Sequence, residues 1–371
     1  MSMKQKTGLY KLGIVGCGNI SRVHANAIRT SEKIELVSAF SRSDDRRTAF
    51  CDEFGITGYS DYGEFLRSDD LDAVVLCTPN GTHLDFGLAA AGAGKHLIIE
   101  KPLEVSVERG KKLLQHCRSQ GVHLAVIYQN RFIENVRKMK KAVDDGLIGR
   151  PVMVRVAVKW YRDQEYYRSA PWRGSLELDG GGALINQSIH TVDLMLWIAG
   201  PVASVQAFKG TLTHEGIEGE DNLVASMQFK NGALGVLEAS TSIVPSQDRI
   251  IEINGTTGTA ILNGDSLRIL SGNNDDSTDT SNMADMSDAG KQGGAGNPGG
   301  AGSSSPLQGL TFDHHSAQYR AIFNHIDEGL QPPVSGEESL NSLAFVQAAY
   351  LSADRQTAIS PDELFPFHAQ G

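Results

Sequence analysis

Gly16-Cys17-Gly18-Asn19-Ile20-Ser21 sets two glycines and a serine in a G-x-G-x-x-S spacing, a pattern suited to gripping a pyrophosphate. The first glycine permits a tight turn, the second lets a phosphate approach the backbone, and a following helix offers its positive end. Far along the chain, Asn186 and His190 are four residues apart, so a helix would present them on one face to a common ligand. Ahead of them runs a dense aromatic and cationic stretch, Trp160-Tyr161-Arg162, Tyr166-Tyr167-Arg168 and Trp172-Arg173. Aromatic faces suit the C–H faces of a sugar, and guanidinium forks suit hydroxyls or acidic groups. For the individual tyrosines, packing is an equally good reading.

Periodicity supplies the elements that must position these groups. Tyr10 to Val15, Ile34 to Phe40, Ala73 to Cys77, His96 to Ile99 and His123 to Ile127 read as strands. Segments such as Ser21 to Arg29 and Val105 to Ser119 between them have helical spacing. This alternation predicts a doubly wound parallel α/β sheet with right-handed crossovers and a ligand crevice at the carboxyl ends of its strands. Thr78-Pro79-Asn80 with His83, and then Glu100-Lys101-Pro102, follow two of those strands and would border the crevice. Tyr128-Gln129-Asn130-Arg131 ends the last strand, where Arg131 could face the crevice or tie the domains together.

After Phe132 the rhythm changes. A helix to Asp145, a strand around Pro151 to Trp160 and a glycine-led helix from Gly182 to Ala199 precede five strands: Val202 to Thr211, Leu223 to Phe229, Ala233 to Ser240, Arg249 to Asn254 and Thr259 to Leu262. Turn signals such as Lys230-Asn231-Gly232 separate them, which predicts an open, mostly antiparallel α+β domain. The expected domains are 1–130 and 131–371. Ser316 to Glu328 and Glu337 to Ala353 (337–354 at the broadest) read as helices that pack back on the first domain. Gly272 to Pro306 lacks large apolar residues and reads as a flexible insertion.

The chain has 371 residues, 40% of them hydrophobic and 21% charged, which fits a globular protein of about two domains. Its formal net charge of −10, with no Lys/Arg cluster, argues against nucleic acid as a partner. Part of that acidity is local: the predicted insertion holds five acidic residues against one lysine, and eight of the forty glycines. No apolar run approaches the ~20 residues needed to cross a bilayer, and Met1 to Lys11 lacks a signal-peptide core; no membrane partner and a cytoplasmic location are expected. Cys17, Cys51, Cys77 and Cys117 show no metal spacing and read as reduced packing residues. His314 and His315 are adjacent, so they point different ways on a helix, and no neighbouring cysteine or carboxylate completes a ligand set; no metal is expected.

The glycine turn, the Thr78-Pro79-Asn80/His83 and Glu100-Lys101-Pro102 motifs, and the run Asp179-Gly180-Gly181-Gly182 through His190-Thr191-Val192-Asp193 occur in a shared order. Together they resemble the glucose-fructose oxidoreductase, inositol dehydrogenase and rhizopine catabolism (Gfo/Idh/MocA) family. The resemblance spans nearly the whole chain outside the insertion. It implies a Rossmann domain followed by an open-sheet domain, and hydride transfer between nicotinamide and a hydroxyl or carbonyl of a sugar, cyclitol or nucleotide sugar. It implies Lys101 and His190 as the catalytic pair flanking the reacting oxygen. Hydride leaves carbon only as the oxygen loses its proton, so a base and an alkoxide stabiliser are needed; His190 would be the base and Lys101 the stabiliser.

Many relatives carry Asp at the Asn186 position. An amide cannot act as a carboxylate, so Asn186 is expected to position substrate, with Tyr161, Arg162 and Tyr167 beside it. Asp193 could orient His190 or brace a neighbouring element. Cofactor contacts are expected from Gly16, Gly18, Asn19, Ile20, Ser41, Arg42, Thr78, Pro79, Asn80, His83, Glu100, Lys101, Trp172 and Arg173. At the end of the second strand stand Ser41 and Arg42 rather than an acidic residue, which favours NADP over NAD. Gly180 to Gly182 would let the backbone pass close to ligand or to the other domain. A homodimer or homotetramer through the open sheet is expected. The alternatives are a catalytically silent dinucleotide-binding regulator and a reductase of non-sugar carbonyls.

Overall fold

The computed structural model describes residues 8–68, 71–272 and 312–367. The predicted insertion beyond Gly272 lies outside the described residues. Six strands, β1 (Tyr10–Val15), β2 (Ile34–Phe40), β3 (Thr57–Tyr59), β4 (Ala73–Leu76), β5 (His96–Ile99) and β6 (Leu124–Val126), form one parallel sheet in the order β3-β2-β1-β4-β5-β6. β4 is buried throughout, as a strand covered on both faces must be. The order reverses between β1 and β4, and a crevice opens at such a switch point. The loops after these two strands meet there: a Cβ on Gly16 would lie 2.8 Å from the Cys77 carbonyl oxygen. β3 was not among the expected strands.

The second sheet joins β7 (Pro151–Lys159), β8 (Val202–Gly210), β9 (Asn222–Phe229), β10 (Leu234–Ser240), β11 (Ile250–Gly255), β12 (Gly258–Asn263) and β13 (Ser266–Ser271) in the order β13-β12-β11-β7-β10-β9-β8. Within this sheet, only the β7–β10 pairing is parallel among the described strands. Along β9, Leu223, Ala225, Met227 and Phe229 turn inward while Val224, Ser226 and Gln228 turn out, the period-2 alternation of a sheet covered on one face. The covered face packs on the nearly all-buried Ile189–Ala199 helix. The other face leaves Val224, Leu234, Val236, Met153 and Phe208 exposed.

The Asp313–Asp327 helix returns to the first sheet as expected, with Tyr319, Ile322 and Phe323 in one core cluster with Leu12 and Ile14 of β1. The Gly336–Arg355 helix does not simply do the same. It touches the Val107–Gln120 helix on one side and β8 and the Ile189–Ala199 helix on the other, because apolar and small residues on most of its circumference require partners all round. A buried ion network reinforces this junction: Arg131 donates to both Asp193 oxygens at 2.7 Å and to Glu338 at 2.8 Å. Arg131, just after β6, therefore ties the end of the first sheet to the Ile189–Ala199 and Gly336–Arg355 helices. The four cysteines are free, and no helix among the described residues is long and apolar enough to cross a membrane.

Candidate active site

At the first turn, Gly16 adopts φ +96° against the Cys77 carbonyl, so only glycine fits. Gly18 caps the Asn19–Arg29 helix without a side-chain acceptor for its first-turn N–H groups, and a Cβ there would meet open space. Open space over uncapped helix amides is a cradle that fits a dinucleotide pyrophosphate. Asn19 is exposed and Ile20 partly so, at the mouth of the same turn. At the end of β2, Ser41 is nearly buried, with its hydroxyl accepting from the Ser43 N–H, and Arg42 is exposed.

Several expected cofactor ligands brace the crevice from behind. His83 is fully buried, with Nε2 3.0 Å from the Thr78 carbonyl and Nδ1 3.1 Å from that of Pro102. It links the loops after β4 and β5, so a direct cofactor contact is corrected to a supporting one. Glu100 is likewise enclosed: one carboxylate oxygen accepts from the Lys101 N–H at 3.0 Å, and the other meets His24 Nε2 at 2.8 Å. Burial pushes its carboxyl up, but the His24 hydrogen bond and charge outweigh this and hold it down to about 2. Thr78 accepts a hydrogen bond from Thr82, whose hydroxyl also reaches the Pro79 carbonyl. Asn80 donates its amide to the Asp179 carbonyl at 2.9 Å.

Lys101 leaves the end of β5 and donates from Nζ to the Asn186 carbonyl at 2.9 Å. That carbonyl belongs to a wide π-helical turn, Ala183–Ser188, a distortion frequent at functional sites, and the Ile189–Ala199 helix follows with His190 in its first turn. Burial first, then the Lys101 ammonium, pushes the His190 imidazole well below the usual histidine range. Its Nδ1, unlike Nε2, is enclosed without a hydrogen-bond partner among the described residues, and its ring meets Tyr128 edge-on at 5.6 Å. Burial also lowers the Lys101 pKa. Lys101 and His190, 89 positions apart in the chain, therefore share one site.

Asp193 does not orient His190: both its oxygens are taken by Arg131. Tyr167 is also corrected from substrate contact to core, since its hydroxyl meets Thr241 at 2.9 Å and its ring packs on His214. Tyr161 is partly buried, its N–H donating to Ser246 and its carbonyl accepting from Arg162. Arg162 also donates to Gln187 at 3.0 Å. The Arg173 guanidinium lies 4.1 Å from the Tyr166 ring centroid and 4.6 Å from that of Trp172, with only Ser169 as its hydrogen-bond acceptor among the described residues.

The triple glycine serves the protein's own packing. A Cβ on Gly182 would stand 1.8 Å from the Glu220 carbonyl, one on Gly181 2.4 Å from the Tyr350 hydroxyl, and one on Gly180 3.0 Å from Val105. Glu220 itself receives the N–H groups of Gly182 and Leu184.

Sequence reasoning missed two groups. Asp179 accepts from Asn186 at 2.5 Å and from the Gly174 N–H at 2.8 Å; its only signal was its place before the glycines. His315 lies with His24 and Glu100, their ligand-type atoms all within 4.8 Å of one another. The carboxylate thought missing for His315 is therefore present in space, brought from β5, although both His24 nitrogens are already engaged by Glu100 and Tyr319.

Comparison with known proteins gives the same arrangement. Residues 10–128 match an oxidoreductase family described by its NAD-binding Rossmann fold, and residues 136–261 match the GFO/IDH/MocA C-terminal domain. The myo-inositol 2-dehydrogenase of Thermotoga maritima is 30% identical over 253 residues, 67% of this chain and 73% of that protein. The WlbA dehydrogenase of Bordetella pertussis, solved with NADH and UDP-GlcNAcA, is 32% identical with a TM-score of 0.81 over 95% of this chain and 98% of that one. The WlbA dehydrogenase of Chromobacterium violaceum, solved with the same ligands, is 29% identical with a TM-score of 0.84 over 97% and 98%. With the glycine turn at the switch point and Lys101 joined to the head of the His190 helix, the chain belongs to the Gfo/Idh/MocA family of NAD-binding oxidoreductases.

Proposed function

We propose that this enzyme oxidises a secondary hydroxyl of an acidic sugar, in nucleotide-linked form, and that Lys101 and His190 carry the proton chemistry. The observation behind the chemistry is the joining of Lys101 to the head of the His190 helix through the Asn186 carbonyl. Bound NAD(P) supplies the hydride acceptor. His190, neutral at working pH, takes the hydroxyl proton at Nε2, and the Lys101 ammonium stabilises the oxygen as negative charge develops. Lys101→Ala and His190→Ala should each lower kcat by about 10²–10⁴-fold while cofactor affinity changes less than about twofold. Undiminished turnover in either variant removes that residue from the mechanism.

The acidic substrate rests on Arg162 and Arg173, which act on Lys101 from the same site as the carboxylates of Glu100 and Asp179, with Ser169 as the acceptor of the Arg173 guanidinium among the described residues. Lys101, Arg162 and Arg173 against Glu100 and Asp179 leave one positive charge in excess, and such a balance draws an anion. Two solved relatives hold UDP-GlcNAcA, which is the first compound to assay. Arg173→Ala should raise its KM about tenfold and leave neutral cyclitols unaffected; faster turnover of myo-inositol than of any sugar acid would reject this substrate class.

For the cofactor, Ser41 and Arg42 at the end of β2 support NADP ahead of NAD. Titration showing tighter NAD than NADP, or equal loss of both in Arg42→Ala, would reverse that preference. The exposed apolar face of the second sheet supports a homo-oligomer, and a monomer by light scattering would remove it.

A further inference from the structure

The Asn186 side chain faces a carboxylate. Its Nδ2 donates to Asp179 Oδ1 at 2.5 Å. Asn80 donates to the same oxygen at 3.2 Å, and the Gly174 N–H donates to Oδ2 at 2.8 Å. Burial pushes the Asp179 carboxyl up, opposed by the Gly174 and Asn186 hydrogen bonds and by the Lys101 charge; every hydrogen-bond partner named here is a donor, which suits a carboxylate that accepts. The same pattern decides which end of the Asn186 amide points where: turning it over would set its oxygen against a carboxylate oxygen. Oδ1 is therefore left for the crevice, and it accepts from nothing among the described residues.

We propose that Asp179 is a positioning residue: by holding Nδ2 it makes Asn186 Oδ1 a fixed acceptor for a substrate hydroxyl beside His190. The negative charge expected at position 186 from the resemblance stands at 179 instead, one hydrogen bond further from the imidazole. A free asparagine could present either end of its amide, whereas this one presents an acceptor only. Asp179 also links both sides of the crevice, because Asn80 follows β4 and Asn186 heads the catalytic helix.

This inference rests on the catalytic reading of Lys101 and His190, and the test separates the two. Asn186→Asp places two carboxylates in contact. Asp179→Asn removes the acceptor. The exchange Asp179→Asn/Asn186→Asp restores an amide-to-carboxylate bond with the charge moved to 186. Thermal unfolding, which needs no substrate, should show Asn186→Asp melting several degrees below wild type and the exchange recovering most of the loss. With UDP-GlcNAcA, or whichever compound of the panel is turned over, Asp179→Asn should lower kcat about tenfold or more and raise substrate KM, with NADH affinity within twofold. The exchange should recover kcat by about tenfold over either single variant, and its acid limb should lie at higher pH than in wild type, because a carboxylate next to His190 favours the imidazolium.

A purely structural pair would recover melting temperature without the recovery of kcat or the pH displacement, and that result overturns the proposal. So does an exchange that melts no higher than Asn186→Asp. Loss of turnover in Lys101→Ala and His190→Ala together with a failed exchange would discard the pair and leave the catalytic reading standing. If those two alanine variants keep full turnover, the catalytic reading fails, and recovery of melting temperature still decides whether the pair exists.

Discussion

Two glycine turns border the crevice, and they use the missing side chain in opposite ways. At Gly18 a Cβ would enter open space above uncapped helix amides; at Gly182 it would enter a backbone carbonyl 1.8 Å away. The first turn leaves room for something that is not protein. The second removes atoms so that the head of the His190 helix can lie flush against Glu220. Composition cannot separate the two, since glycine enrichment looks the same whether a ligand or the chain's own backbone fills the space.

The contrast is sharpest in Gly182→Ala, which should cost more than about 3 kcal/mol, because overpacking usually costs about 1–3 and here the clash is with the Glu220 backbone rather than a flexible side chain. Chemical denaturation or loss of soluble protein reports it, and a melting temperature within two degrees of wild type would contradict the close packing.

The same turn should respond to pH. Burial lifts the Glu220 carboxyl from the usual 4.5 to about 7, although the N–H groups of Leu184 and Gly182 oppose this. The folded state therefore holds that proton more tightly than the unfolded chain does. Its stabilising effect is full below about pH 4.5 and is lost as pH rises to about 7, on the order of 3 kcal/mol. Glu220→Gln should flatten that part of the stability profile, and urea midpoints for both proteins at pH 5 and pH 8 would check it; parallel profiles would exclude the assignment.

Smallest in stability should be Gly18→Ala, with a melting temperature within about two degrees of wild type but cofactor affinity weakened about tenfold, or ~1.4 kcal/mol. Unchanged cofactor binding would mean that the open space is not the pyrophosphate site.

Much of this was legible in the sequence where the signal is local. β1 and β2 begin and end where their β-branched runs do, because a buried parallel strand is a short apolar run with turn residues at its ends. β3 and β13 escaped notice for a physical reason: one has three residues, and the other is an edge strand exposed along most of its length. The motif residues Gly16, Lys101, Asn186 and His190 could be singled out because each lies in a contiguous pattern. Orientation was not legible. His83, Glu100, Tyr167 and Asp193 sit in or near those motifs yet turn inward, toward partners such as His24 and Arg131 that lie 62 to 76 residues away in the chain, and no local periodicity encodes such a pairing.

The Arg131 network, with its guanidinium side chain only 8% exposed, has a consequence for how ligands enter. Widening the crevice by a hinge would pull one guanidinium from two carboxylates inside the protein, and uncoupling a buried pair of this kind costs about 3–5 kcal/mol. The network thus opposes such opening, which favours binding between walls already set at their working separation. Cofactor association should then stay linear in concentration under rapid mixing, whereas a plateau would reveal a crevice that has to open first.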